Sequence, residues 1–280
     1  MEGGAADSPA GLAVQPADGD DLSPDRVAAA LGPDASLGRP VQHYGVAVSA
    51  ESLALGWARQ HDAPEGALVV ADVELSARGR RGQTWVSRAG RSLAFSVVLR
   101  PGLPPAGEGL LWLLASLAAA EGLEAVTDLD VRLKWPNDLL VGGRGIGGIR
   151  IDAHLGPGSI ESAVVTVRVN VGLHEDDFPA ELRGGVTSLA MEGAQRARSD
   201  VLAAVLDRLA ARYEAGVASL LDDYRARCET IGTRVRALLM PTGEAVGLAA
   251  DVDDHGALVL ETPGGRGGIG VDRVQRLERA

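Results

Sequence analysis

Between residues 67 and 171, apolar segments of strand length interleave with one strongly apolar helical stretch, and beyond about Ile231 only short strand patterns remain. That change of texture disfavours a strict βαβ repeat. It implies an α+β domain built on a mixed β-sheet with flanking helices, followed by a small β-barrel. Strands are expected at 67–73, 92–99, 131–134, 146–152 and 163–171, and helices at 50–60, 110–121 and 200–227, the last as one long helix or two. In the barrel, strands are expected at 234–238, 245–251, 257–262 and 269–277, separated by DDHG and PGGRGG turns. The first 24 or so residues are rich in Ala, Gly, Asp and Pro without an apolar period, which reads as disorder. Ser23 ahead of Pro24 predicts a short capped helix over 24–31. The expected division is a disordered or weakly ordered extension at 1–38, a main domain at 39–230 and the barrel at 231–280.

With 280 residues, 46% of them hydrophobic, the chain can bury a sizeable core. No run of eighteen apolar residues is free of charge, and the N-terminus is acidic where a secretory signal is basic, so no membrane span and a cytoplasmic location are expected. Cys228 stands alone, which excludes an internal disulfide or a zinc site built on paired cysteines. A net charge of -11 argues against broad nucleic-acid binding. Of the 27 basic residues all but Lys134 are arginine. In such a background a retained lysine is informative, because a compact ammonium and a planar guanidinium are not interchangeable at a tight site.

Two segments carry chemistry. ARGRRGQTW, residues 77–85, follows a buried strand, and its glycines and arginines suit an anion: the backbone approaches closely and guanidinium groups clamp phosphate oxygens. Trp85 at its end offers a planar ring to a nucleotide base. A solvated basic loop has the same composition. KWPNDLLVGGRGIGG, residues 134–148, ends a strand in a turn fixed by Pro136, where Asn137 and Asp138 can coordinate magnesium or hydrogen-bond a phosphate or ribose. An ordinary Pro-Asn-Asp β-turn is the plainer reading. The five histidines are scattered without metal-ligand spacing and read as surface or loop residues.

Taken in order, ARGRRGQTW, VRLKWPNDLLV, the strand VTVRVNVGL, the triplet Thr187-Ser188-Leu189 and the DDHGAL of the last domain resemble the biotin protein ligase family across roughly residues 40–278. The resemblance implies a biotin/lipoate ligase-like domain with an SH3-like C-terminal barrel. It implies an ATP- and Mg2+-dependent adenylation of biotin, or a related small carboxylate, and transfer of the acyl group to a lysine amine of a biotin carboxyl carrier domain. By position, Arg78 and Arg80 would hold the adenylate phosphate, Trp85 would pack near the adenine, and Lys134, Asn137 and Asp138 would organise metal, phosphates and attacking amine. Asn170 would support the adenylate, while Ser49, Glu74, Gly147 and Arg168 would face the acyl substrate. The region before residue 40 is too short for the DNA-binding domain of ligase–repressors, so no repressor function is expected.

Five departures fall on the acyl-substrate side. The family's Ser-Thr-Asn is Ser49-Ala50-Glu51, its glutamine is Glu74, its first loop glycine is Ala77, a lysine is replaced by Gly145, and two strand glycines by Thr166 and Arg168. A buried polar site that loses a partner is weakened by about 1 to 3 kcal/mol per group. Arg144 neighbours position 145 on a strand and points to the opposite face, so Arg168 is the better substitute for the missing cation. These departures leave room for the same chemistry on another acid, or for a non-catalytic paralogue.

Overall fold

A computed structural model describes residues 22–60, 63–82 and 85–280. The expected disorder of residues 1–21 and the reading of His61 lie outside the described residues. The core is a mixed seven-stranded sheet formed by β1 (Val41–Ala47), β2 (Leu68–Glu74), β3 (Ser92–Leu99), β4 (Arg132–Lys134), β5 (Asp138–Val141), β6 (Arg144–Leu155) and β7 (Ile160–Asn170). Its spatial order is β1-β2-β3-β7-β6-β5-β4, with β1 and β2 parallel and every other neighbouring pair antiparallel.

The two faces of the sheet differ in chemistry. Odd positions of β7 (Val165, Val167, Val169) join the main apolar core with α3 (Glu108–Val126), α4 (Arg198–Ala215) and α5 (Leu220–Arg227). Gly122 lets α3 and α4 approach closely: a Cβ there would lie 2.6 Å from the Cα of Val205. The stretch from Pro105 to Val126 is long and apolar enough to cross a bilayer, yet it is largely buried against the sheet and α4. On the opposite face α2 (Ala50–Arg59) covers β2, β3 and β7 through residues such as Ala50, Ala54, Ala71 and Val164. Towards β6 and β5 this face turns polar, with Thr166, Arg168 and Asn170 buried.

Within residues 22–38 the expected capped helix is present. α1 (Pro24–Leu31) is capped by the Ser23 hydroxyl, which accepts from the Arg26 amide, and Leu22, Val27 and Leu37 are buried in the main core. Sparse apolar residues spaced to one face are sufficient here because α4 supplies the rest of the packing. His43 departs from its surface reading as well: it lies on β1, half-buried, with Nε2 2.9 Å from Asp72. Asp72 also pairs with Arg198, fully buried at the start of α4. Burial pulls the Asp72 carboxyl upwards, but the His43 hydrogen bond and the Arg198 charge outweigh it and hold the group below the ordinary carboxylate range.

The C-terminal unit is a five-stranded antiparallel sheet, ordered β11-β10-β9-β8-β12, of β8 (Arg234–Leu239), β9 (Glu244–Val252), β10 (Leu258–Thr262), β11 (Gly265–Ile269) and β12 (Val274–Arg279). β11 was expected as a turn. Its glycines carry no side-chain signal for a strand, and backbone pairing with β10 alone defines it.

Candidate functional site

Where the polar half of the sheet meets the C-terminal unit, a cleft of about 1020 Å³ opens. One wall is β5 to β7 with Asn137, Asp138, Gly145, Gly147, Gly148 and Asn170; the other includes Thr233 and residues 275–279 of the small domain. The turn between β4 and β5 supplies Lys134 and Asp138, whose Nζ and Oδ2 lie 3.5 Å apart, both partly exposed. Removal of water in the cleft pushes the Asp138 carboxyl above the ordinary range against the pull of Lys134 and Arg80.

The turn is fastened to its surroundings. The peptide between Trp135 and Pro136 is cis, and Trp135 is buried, its amide donating to Thr230 Oγ1 and its indole N–H to the Gly256 carbonyl, each at 3.0 Å. The Asn137 amide donates to Ile149 O (3.1 Å) and that of Asn170 to Thr187 O (2.9 Å), so both side chains are held by main chain at the cleft floor. The Thr187-Ser188-Leu189 triplet, fully buried, thereby fixes the end of β7. Sequence reading passed over Trp135 because nothing in KWPND distinguishes an anchoring tryptophan from a ligand-facing one.

The arginine loop is placed differently from the expectation. Arg80 lines the cleft near Asp138 and Lys134, but its guanidinium donates to the main-chain carbonyls of Val271, Val274 and Gln275. Arg81, the one non-glycine with positive φ (57°) among the described residues, donates to Asp272 and Val274. A half-buried guanidinium needs several acceptors, and the segment entering β12 supplies them. Burial and the neighbouring Arg81 charge lower the Arg80 pKa to about 10. Arg78 does not reach this cleft; it is exposed and borders an adjoining depression with Glu74, Arg88, Asp176 and Asp177. Trp85 borders both cavities, and its indole N–H is buried without a hydrogen-bond partner.

The residues assigned to the acyl substrate are largely engaged with one another. Arg168 donates from Nε and Nη2 to the two carboxylate oxygens of Glu74 at 2.7 and 2.9 Å, and both side chains are buried, 3% and 0% exposed. Glu74 also accepts the Ala50 amide at the N-terminus of α2 (2.9 Å), where a carboxylate is favoured by the unpaired amides. Arg150 pairs with buried Glu51 and donates to Gly79 O (3.2 Å). Ser49 caps α2, its hydroxyl accepting the Ser52 amide. The expectation that Arg168 replaces the missing cation therefore meets a guanidinium already neutralised. Removing one member of such a pair leaves a buried charge unpaired, at about 3–5 kcal/mol.

Gly145 lines the cleft, and a Cβ there would meet nothing nearer than Gly185 O at 3.7 Å. Gly147 is confined, because a Cβ would lie 2.8 Å from the Arg168 carbonyl oxygen. Arg144 is turned away and pairs with Glu192 at 2.6 Å. Among the described residues no group of three or more His, Cys, Asp or Glu side chains is placed to hold a metal ion.

The Biotin/lipoate A/B protein ligase family matches residues 48–170, and the Biotin protein ligase C terminal domain matches residues 230–276. The biotin–[acetyl-CoA-carboxylase] ligase of Mycobacterium tuberculosis is 35% identical over 208 residues, 71% of this chain and 75% of that protein. The bifunctional ligase/repressor BirA of Bacillus spizizenii is 34% identical over 73% of this chain, and the chain spans 64% of that relative's length. The biotin protein ligase from Aquifex aeolicus, solved in complex with biotin and ATP, shares the fold with a TM-score of 0.72 at 24% identity, covering 86% of this chain and 100% of that one. With its main domain and its small domain each matched in turn, and with a relative followed over three quarters of its length, the chain belongs to the biotin protein ligase family.

Proposed function

We propose that this chain is an ATP-dependent acid–amine ligase that adenylates biotin or a related small carboxylate and passes the acyl group to a lysine amine of a biotin carboxyl carrier domain. The observation that carries this reading is the convergence of Arg80, Trp85, Lys134, Asn137, Asp138 and Asn170 on one cleft. In the first step the carboxylate oxygen attacks the α-phosphorus of ATP and pyrophosphate leaves. In the second the amine nitrogen attacks the acyl carbon, AMP leaves with the electron pair of the broken C–O bond, and the amine gives up a proton.

Lys134 offers a compact positive charge to the phosphoryl oxygens, which gain charge as the bond to pyrophosphate breaks. Asp138, its carboxylate beside Lys134 in the cleft, is suited to accept the amine proton. The unpaired Trp85 N–H is a donor for the nucleotide end of the adenylate. Asp138 is the partly exposed carboxylate of the cleft turn, and with the phosphates of ATP it would hold a magnesium ion that neutralises phosphoryl charge, as is usual where a protein offers one or two carboxylates.

The test is exchange of labelled pyrophosphate into ATP by the full chain, with biotin and with a panel of straight-chain carboxylic acids. Exchange stimulated by one of them, and abolished in Lys134→Ala, supports the ligase; no exchange with any acid rejects it.

A further inference from the structure

We infer that the ion pairs Glu74–Arg168 and Glu51–Arg150 determine the acid specificity of this site, closing the inner end of the cleft to the bicyclic ring of biotin and restricting it to a short carboxylate. The inference rests on the ligase reading and narrows its substrate.

Three observations carry it. First, Arg150 and Arg168 both line the cleft, yet each guanidinium is paired with a buried carboxylate, and Arg150 also donates to Gly79 O. Neither offers a free cation to a ligand. Second, the pair is built to stay closed. Arg168 lies opposite Gly148 on β6 and Ala94 on β3, two small neighbours that leave space for its side chain, and the two-point contact with Glu74 is reinforced by the Ala50 amide. A ring that displaced Arg168 would strand Glu74, also fully buried.

Third, the charges come as matched couples. Glu74 and Arg168 are in mutual contact, both buried. Either one alone would be a buried unpaired charge; together they are satisfied. Drift in a discarded pocket would not place complementary charges 2.7 Å apart in a dry site, let alone set a second couple, Glu51 and Arg150, beside them.

The test is equilibrium dialysis of labelled biotin against the wild-type chain and two neutral double variants, each checked for folding by circular dichroism. Glu74→Gln/Arg168→Gly removes charge and bulk; Glu74→Gln/Arg168→Met removes charge and keeps bulk. Wild type and the methionine variant are expected to show no saturation up to about 1 mM biotin, and the glycine variant to bind roughly a hundredfold tighter than either. Saturation of the wild type at micromolar biotin, equal gains in both variants, or a folded glycine variant that binds no better overturns the inference. Its failure is distinct from that of the ligase reading. Biotin-stimulated pyrophosphate exchange by the wild type would sink the inference and leave the ligase, whereas a glycine variant that gains biotin in a chain that exchanges with no acid would do the reverse.

Discussion

The indole N–H of Trp135 donates to the carbonyl oxygen of Gly256 across the junction of the two domains, so the turn bearing Lys134 and Asp138 is held by a residue of the small domain. Trp135→Phe keeps a ring in place and removes this donor, leaving a buried carbonyl without it. The expected cost is about 1–3 kcal/mol in urea denaturation. Stability equal to wild type would show that the contact does not fasten the turn.

The same junction is latched by Arg80. Arg80→Ala removes the bonds to Val271, Val274 and Gln275 and is expected to free the loop. Amide exchange in residues 271–275 should quicken, and trypsin should cleave at Arg78 or Arg81 faster than in wild type. Unchanged exchange in both segments would contradict the latch.

The buried pair gives a non-additive signature. Arg168→Ala is expected to destabilise by about 3–5 kcal/mol, because Glu74 loses its counter-charge, while Glu74→Gln/Arg168→Met should recover most of that loss. Chemical denaturation of the two variants decides it, and additive effects would speak against a coupled pair.

Neighbouring glycines should respond in opposite ways. Gly145→Lys meets open space and should fold with stability close to wild type, returning a cation to the cleft wall. Gly147→Ala would drive a methyl group against the Arg168 carbonyl and is expected to cost about 1–3 kcal/mol by overpacking. Thermal melts compare them directly, and the expectation fails if Gly147→Ala is the better tolerated of the two.

Asp72 governs part of the acid limb. Its folded-state carboxyl titrates below the unfolded one, so its contribution is complete above the ordinary carboxylate value of about 3.9 and is lost as pH falls through that value to the lower folded one. Asp72→Asn should therefore lower stability near neutrality and flatten its decline between about pH 5 and pH 2. Parallel wild-type and variant curves over that window would remove Asp72 from the account.

The family, the α+β architecture with its small C-terminal sheet, and the KWPND turn are legible in the amino-acid order alone, because period, turn chemistry and motif are local and are written in consecutive residues. It also placed Arg168, Thr166 and Asn170 on one face of β7, since side chains alternate along a strand. β1 and β5 escaped it: β1 has a Gly and mixed polarity, and β5 is four residues that begin inside a turn. Which partner each charge takes depends on contacts that folding makes between distant segments. Glu74 and Arg168 are 94 residues apart, and Arg80 meets carbonyls more than 190 residues further on. A guanidinium in a sequence signals a possible phosphate clamp; whether it is free to act as one depends on the acceptors that folding brings around it.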